Sequence, residues 1–194
     1  MPVANAVAEI RTELAPLEQS SVGFFDVLSN GASLANLHLT NVAVYGKLTG
    51  DWDRPFVGGL VGGSLGMGKN ARIDHCSVAG GIVSAEGKQW AYGGGLTASL
   101  YLDAYLTNSW TDVTVQVKSA NGLCSAGGLV ATNSNGTMIA NCAALGDVTA
   151  ISGYTTSSKV SASVGGLVGQ GTGMFHNCYA AGNVALTMAI TPDE

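Results

Sequence analysis

Gly165-Gly166-Leu167-Val168-Gly169, a short turn, then Phe175-His176-Asn177-Cys178-Tyr179-Ala180-Ala181-Gly182-Asn183-Val184 is a phrase that recurs along this chain. Its opening returns at Gly58-Gly59-Leu60, Gly94-Gly95-Leu96 and Gly127-Gly128-Leu129, so Leu60, Leu96, Leu129 and Leu167 stand 36, 33 and 38 residues apart. Its close returns as Ile73-Asp74-His75-Cys76, Leu106-Thr107-Asn108-Ser109 and Ile139-Ala140-Asn141-Cys142. Upstream, Phe24-Phe25-Asp26-Val27-Leu28 followed by Leu39-Thr40-Asn41-Val42 reads as a degenerate first copy. A period of this length marks a solenoid, in which each repeat covers the apolar face of its neighbour.

Each copy holds three strand-like pieces, which in the fourth are residues 125–132, 137–143 and 147–152. Three pieces in fixed order predict an all-β, right-handed parallel β-helix, three-sided, with about five coils at the strand spacing of about 4.8 Å. Stacking then turns equivalent positions into columns. Leu39, Ile73, Leu106, Ile139 and Phe175 form an apolar column expected to face inward, and Leu60, Leu96, Leu129 and Leu167 form another beside the glycines. Asn41, His75, Asn108, Asn141 and Asn177 form a corner column, since Asn tolerates left-handed backbone and its amides can bond from coil to coil. Val42, Cys76, Ser109, Cys142 and Cys178 follow as small residues packed behind the bend.

Residues 1–20 differ from this 21–194 array. Val3, Val7, Ile10, Leu14 and Leu17 keep helical spacing, which predicts an amphipathic helix capping the strand edges of the first coil. The other end, from Met188 to Glu194, shows no comparable cap beyond Pro192, Asp193 and Glu194, and is expected to be left open, blunted by these polar residues or continued in a longer chain.

Composition narrows the classes. The 194 residues include 28 Gly and 4 Pro, with 11% charged and 46% hydrophobic residues, yet no apolar run is long enough to span a bilayer. Direct membrane insertion is therefore not expected. The 8 basic residues are scattered singly in a chain of net charge −5, so there is no stripe to neutralise phosphates, and nucleic acid is not expected as a partner. No basic n-region and apolar h-region follow Met1-Pro2, so compartment is left open by the residues alone.

The phrase Gly-Gly-Leu-Val-Gly, a Gly/Asn turn, then Ile-x-Asn-Cys-Tyr-Ala-x-Gly-x-Val resembles the GLUG motif. The last copy, from Gly165 to Val184, matches nearly throughout, and the likeness extends over residues 22–186. The third copy departs from it, with Thr97 for Val and Ser109-Trp110 for Cys-Tyr. The resemblance implies an extracellular β-helical region of a bacterial surface or secreted protein. Examples are filamentous-haemagglutinin-like adhesins and the non-catalytic part of IgA-cleaving metallopeptidases. It supplies no catalytic residues.

Candidate chemistry is sparse. Residues 63–70 nearly spell a phosphate-binding loop but fail at Asn70, where a hydroxyl belongs, and no helical pattern follows. The four cysteines have no C-x-x-C spacing, so no metal and no cofactor are expected. Cys142 and Cys178 are placed in adjacent coils, within disulfide reach, and are read as free buried thiols. Asp74 and His176 share an outward column but stand three coils apart, about 14 Å, too far for paired acid–base hydrolysis. Asp51, Trp52, Asp53 and Arg54 crowd one loop, and Asp103, Trp110 and Asp112 lie in the next copy. Together they are the candidate contact for a protein or carbohydrate. The expectation is a non-catalytic binding or spacer module at a cell surface. The alternatives are a polysaccharide-active β-helix enzyme and a subunit that self-associates end to end or laterally.

Overall fold

A computed structural model of the chain describes residues 9–13, 20–63, 69–134, 136–154 and 161–190. Residues 64–68, most of the near-phosphate loop, lie outside these. The described residues form parallel-paired β-strands and no helix. The chain is a parallel β-solenoid whose coils visit four sheets in the same order, the first two coils reaching the short sheet only through the single bridges Phe25–Val61 and Val61–Thr97. A glycine sheet contains Ser20–Val22, Pro55–Gly58, Trp90–Gly94, Leu123–Gly127 and Ala162–Gly165. A short sheet follows, with Thr97–Leu100, Val130–Asn133 and Val168–Gly171. A corner sheet holds Ser33–Ala35, Arg72–Asp74, Tyr105–Thr107, Met138–Ala140 and Met174–His176. A long sheet runs through Glu9–Glu13, His38–Lys47, Ser77–Gly87, Trp110–Ser119, Val148–Tyr154 and Val184–Ile190, joined by Ala143–Ala144 and Tyr179–Ala180. From the first glycine strand to the last, the chain makes about four turns.

The paired glycines owe their place to close backbone approach. A Cβ on Gly94 would lie 2.0 Å from the Thr97 carbonyl of its own coil, and one on Gly95 would lie 2.0 Å from the Gly128 carbonyl of the next. The first glycine of a pair thus lets the chain bend sharply, and the second lets coils touch. The leucine that follows is sealed at 60, 96 and 129. At 96, 129 and 167 its carbonyl accepts two N–H groups from the coil before: Leu129 O takes Leu96 N at 2.9 Å and Thr97 N at 3.2 Å. This bend splits the expected first strand, residues 125–132, into Leu123–Gly127 and Val130–Asn133. A left-handed Asn141 splits the second. A piece read from apolar content alone spans both bends, because neither contains a proline or an obvious turn.

Ile73, Leu106, Ile139 and Phe175 occupy one register column. The first-coil member is Leu34, not Leu39, which pairs with Val78 in the long sheet. The corner column correspondingly begins at Asn36, whose φ of 58° and bond to the Asp74 carbonyl match its successors. Asn41 is also left-handed, φ 56°, but lies at a second bend within His38–Lys47, beside Gly80. Leu37, rather than Val42, precedes Cys76 in its column, since Ser77 N bonds the Leu37 carbonyl as Trp110 N bonds that of Cys76.

The expected N-terminal helix is contradicted where it is described. Glu9–Glu13 is a strand, paired in parallel with residues 43–47. The first strand of the long sheet offers a row of unpaired backbone groups, and satisfying them outweighs local helical periodicity. Residues 1–8 and 14–19 of that segment lie outside the described residues.

Two substitutions test the stacking. Leu106→Ala should cost about 2–5 kcal/mol by leaving a cavity between coils. Gly95→Ala should cost about 3 kcal/mol, the upper end for an overpacked site, because its Cβ meets backbone that cannot move aside. Urea denaturation followed by circular dichroism measures both.

Candidate functional site

The corner column carries the most ordered polar array. Each left-handed residue turns its side chain outward, and the amides connect: Asn177 Nδ2 donates to Asn141 Oδ1 at 3.3 Å, and Asn141 Nδ2 to Asn108 Oδ1 at 3.1 Å. Asn108 Nδ2 donates to Asp74 Oδ1 at 2.8 Å, so a run of aligned amide dipoles ends on a carboxylate. Asp74 also accepts from Thr107 Oγ1 at 2.6 Å, and His75 Nδ1 lies 2.8 Å from its Oδ2. The Thr107 hydroxyl foremost, then His75 and Asn108, hold the Asp74 carboxyl down from its ordinary 3.8 to about 2. In this column Asp74 is aligned through Thr107 and Ala140 with His176, so the two ionisable groups remain separated by the intervening coils.

Beside this ladder runs an open cleft of about 560 Å³, lined by Trp110, Ala143, Leu145 and Tyr179 together with Asn108 and Asn141. Trp110, Ala143 and Tyr179 are register partners on successive coils, so a small residue separates two exposed aromatics. Behind the ladder, Cys76 and Cys142 are buried and Cys178 half-buried, all free thiols. Cys142 Sγ donates to the Ala140 carbonyl at 3.2 Å, and burial pushes this thiol up to about 12. Burial likewise raises Cys76 and takes Cys124 to about 11. Thiols so held are poor nucleophiles.

A second cluster forms on the edge of the glycine sheet. Trp52 is 69% exposed, and its ring lies 5.7 Å from that of Trp90, one coil on. The Arg54 guanidinium sits 4.6 Å above the Trp90 ring, and Lys88 pairs with Asp51 at the rim. Alongside, two residues further on the same strand face, Phe56 and Tyr92 stack at 4.4 Å and near-parallel, which braces the platform. Asp53 does not reach this surface. It is 3% exposed and its carboxylate accepts from Gly50 N at 2.7 Å, closing its own turn.

The candidate residues therefore separate into four places. Asp51, Trp52 and Arg54 come together, and Trp110 lies in the cleft. Asp112 is exposed on the long sheet, while Asp103 sits at a left-handed turn against Gly136. Sequence reading missed Lys88 and Trp90 in the platform and Tyr179 in the cleft. The signal for Trp90 and Lys88 lies in the repeat itself, about one period after Arg54 and Asp51. No group of three or more His, Cys, Asp or Glu placed to hold a metal ion occurs among the described residues.

Coil order, in-register pairing and the polar corner define a solenoid built of stacked sequence repeats. Two of its repeats, residues 122–149 and 160–185, match the family described as the GLUG motif, and the chain is a GLUG-motif repeat protein. No curated protein and no solved structure matches the chain.

Because the Asp74 carboxyl is depressed, its stabilising effect is complete above its unfolded value of 3.8 and is lost as pH falls toward 2. Asp74→Asn removes that component. Denaturation midpoints measured from pH 5 to pH 2 should therefore fall less steeply for the variant than for the native chain.

Proposed function

We propose that this chain is a non-catalytic β-solenoid module of a bacterial protein that is secreted or displayed at the cell surface. In this reading it acts as spacer and adhesin, and its glycine-sheet edge takes a carbohydrate. The observation that carries the reading is the exposed Trp52 face resting on Trp90, with Asp51, Arg54 and Lys88 around it. An indole face suits the C–H surface of a sugar ring, and flanking charged groups suit its hydroxyls. The coil frame supports such a platform, because Trp90 opens a strand that pairs with Pro55–Gly58, and the turn leading into Pro55–Gly58 carries Trp52.

Turnover has no part in this reading. The Asp74 carboxyl is held ionised, which disfavours it as a general acid, and the ionisable groups of its column are spread over several coils. Scattered basic residues disfavour nucleic acid, and no helix among the described residues is long and apolar enough to cross a membrane. No cofactor is invoked. We also read the four-sheet coil as the right-handed, three-sided form in about five coils, with the glycine and short sheets forming one kinked side. Right-handed crossover between neighbouring parallel strands is nearly universal, which supports that hand.

Affinity electrophoresis against a panel of microbial and host polysaccharides tests the reading. At least one polysaccharide should retard the native chain, and Trp52→Ala should weaken that binding at least tenfold without altering the circular dichroism spectrum. Binding that survives Trp52→Ala, or a panel in which nothing binds while proteins do, contradicts it.

A further inference from the structure

The last coil leaves its inner face uncovered. Phe175, Val184, Leu186 and Met188 are 47%, 48%, 44% and 44% exposed. Val184 completes a column with Val44, Val83, Val115 and Val148, all of them sealed, and Phe175 stands over the sealed Ile139. Val184–Ile190 pairs only with Val148–Tyr154, so its other edge carries no strand among the described residues. A seven-residue apolar edge of this kind is a template for another strand.

The first coil carries the matching half. Ser20–Val22 and Ser33–Ala35 each end their sheets, and Leu34 and Asn36 head the columns that Phe175 and Asn177 close. The polarity of the corner ladder agrees. Every amide donates toward the first coil, so Asn177 presents an oxygen acceptor and Asn36 of another molecule would supply the donor. Head-to-tail contact keeps both this direction and the parallel strand sense, whereas two last coils face to face would break both.

One element stands in the way. Glu9–Glu13 occupies the edge of His38–Lys47 that Val184–Ile190 of another copy would take. Five residues on one sheet compete there with seven residues plus the edges of two further sheets, Ser20–Val22 and Ser33–Ala35, a contest the stack should win.

We infer that the protein associates head to tail: the last coil of one copy docks on the first coil of a second copy and displaces its Glu9–Glu13 strand, which thereby acts as a plug on assembly. Contact of this type does not close on itself and produces rods. This inference stands on the coil ends and is independent of the carbohydrate platform.

The register gives a direct test. Lys47, Glu86, Lys118, Ile151 and Thr187 are successive partners, so Thr187 of one copy would lie over Lys47 of the next, at the strand spacing of about 4.8 Å and within disulfide reach. Full-length Lys47→Cys and Thr187→Cys, each in a Cys178→Ser background, are mixed, oxidised with copper phenanthroline and resolved on a denaturing gel. Mixed 47–187 dimers are expected, and a ladder of multimers from the double variant. Leu186→Lys should reduce the yield at least tenfold. Should Leu186→Lys lose its β-type circular dichroism, Thr187→Lys, compared by sedimentation without cross-linking, takes its place. Ile10→Pro in the Lys47→Cys partner removes an N–H from the plugging strand and should raise the yield severalfold. Absence of cross-links, 187–187 dimers alone, or a yield indifferent to Leu186→Lys overturns the docking. A yield unchanged by Ile10→Pro overturns the plug.

Discussion

Parallel backbone pairing between one coil and the next is the constraint under which the rest of the molecule is arranged. A coil must present its N–H and C=O groups at the height and register where its neighbour's can meet them, and a slip of one residue would send every inward side chain out. Two devices hold that register here. The leucine carbonyls at 96, 129 and 167 each accept two N–H groups from the preceding coil. The second glycines of the pairs, at 59, 95 and 128, let the coils approach until a Cβ would no longer fit. Given that approach, the valine column, the Ile73–Leu106–Ile139 column and the outward asparagine ladder follow as geometric consequences.

The positions most legible in the sequence are those where backbone geometry dictates the residue. Gly-Gly-Leu recurs because a Cβ would collide, and Asn recurs at 108, 141 and 177 because the corner is left-handed. Where chemistry is permissive, spacing alone leaves two choices. The first copy contains both Leu34-Ala35-Asn36 and Leu39-Thr40-Asn41, and each lies at a plausible distance from Ile73. Only the hydrogen-bond register selects Leu34 and Asn36. Helical spacing between Val3 and Leu17 is a local signal. The strand edge that claims Glu9–Glu13 is a tertiary one, and a sequence window does not contain it.

The same distinction runs through the candidate site. Asp51, Trp52 and Arg54 lie within four residues and were visible as a cluster, but Lys88 and Trp90 join them only because one coil brings the next alongside. Asp53 shows the converse. It was grouped with its neighbours by proximity, yet its carboxylate turns back onto Gly50 and leaves the surface. Family membership follows from the frame residues and describes the frame. The ligand is a matter of what the loops carry, which differs from coil to coil.

Methyl–methyl nuclear Overhauser contacts among Val83, Val115 and Val148 examine the central claim most directly, since these three residues are sealed register partners on successive coils. Stacked coils predict strong contacts between 83 and 115 and between 115 and 148, with none between 83 and 148. Absence of the first two, or methyl contacts shifted to the outward neighbours Ile82 and Thr149, would contradict in-register stacking.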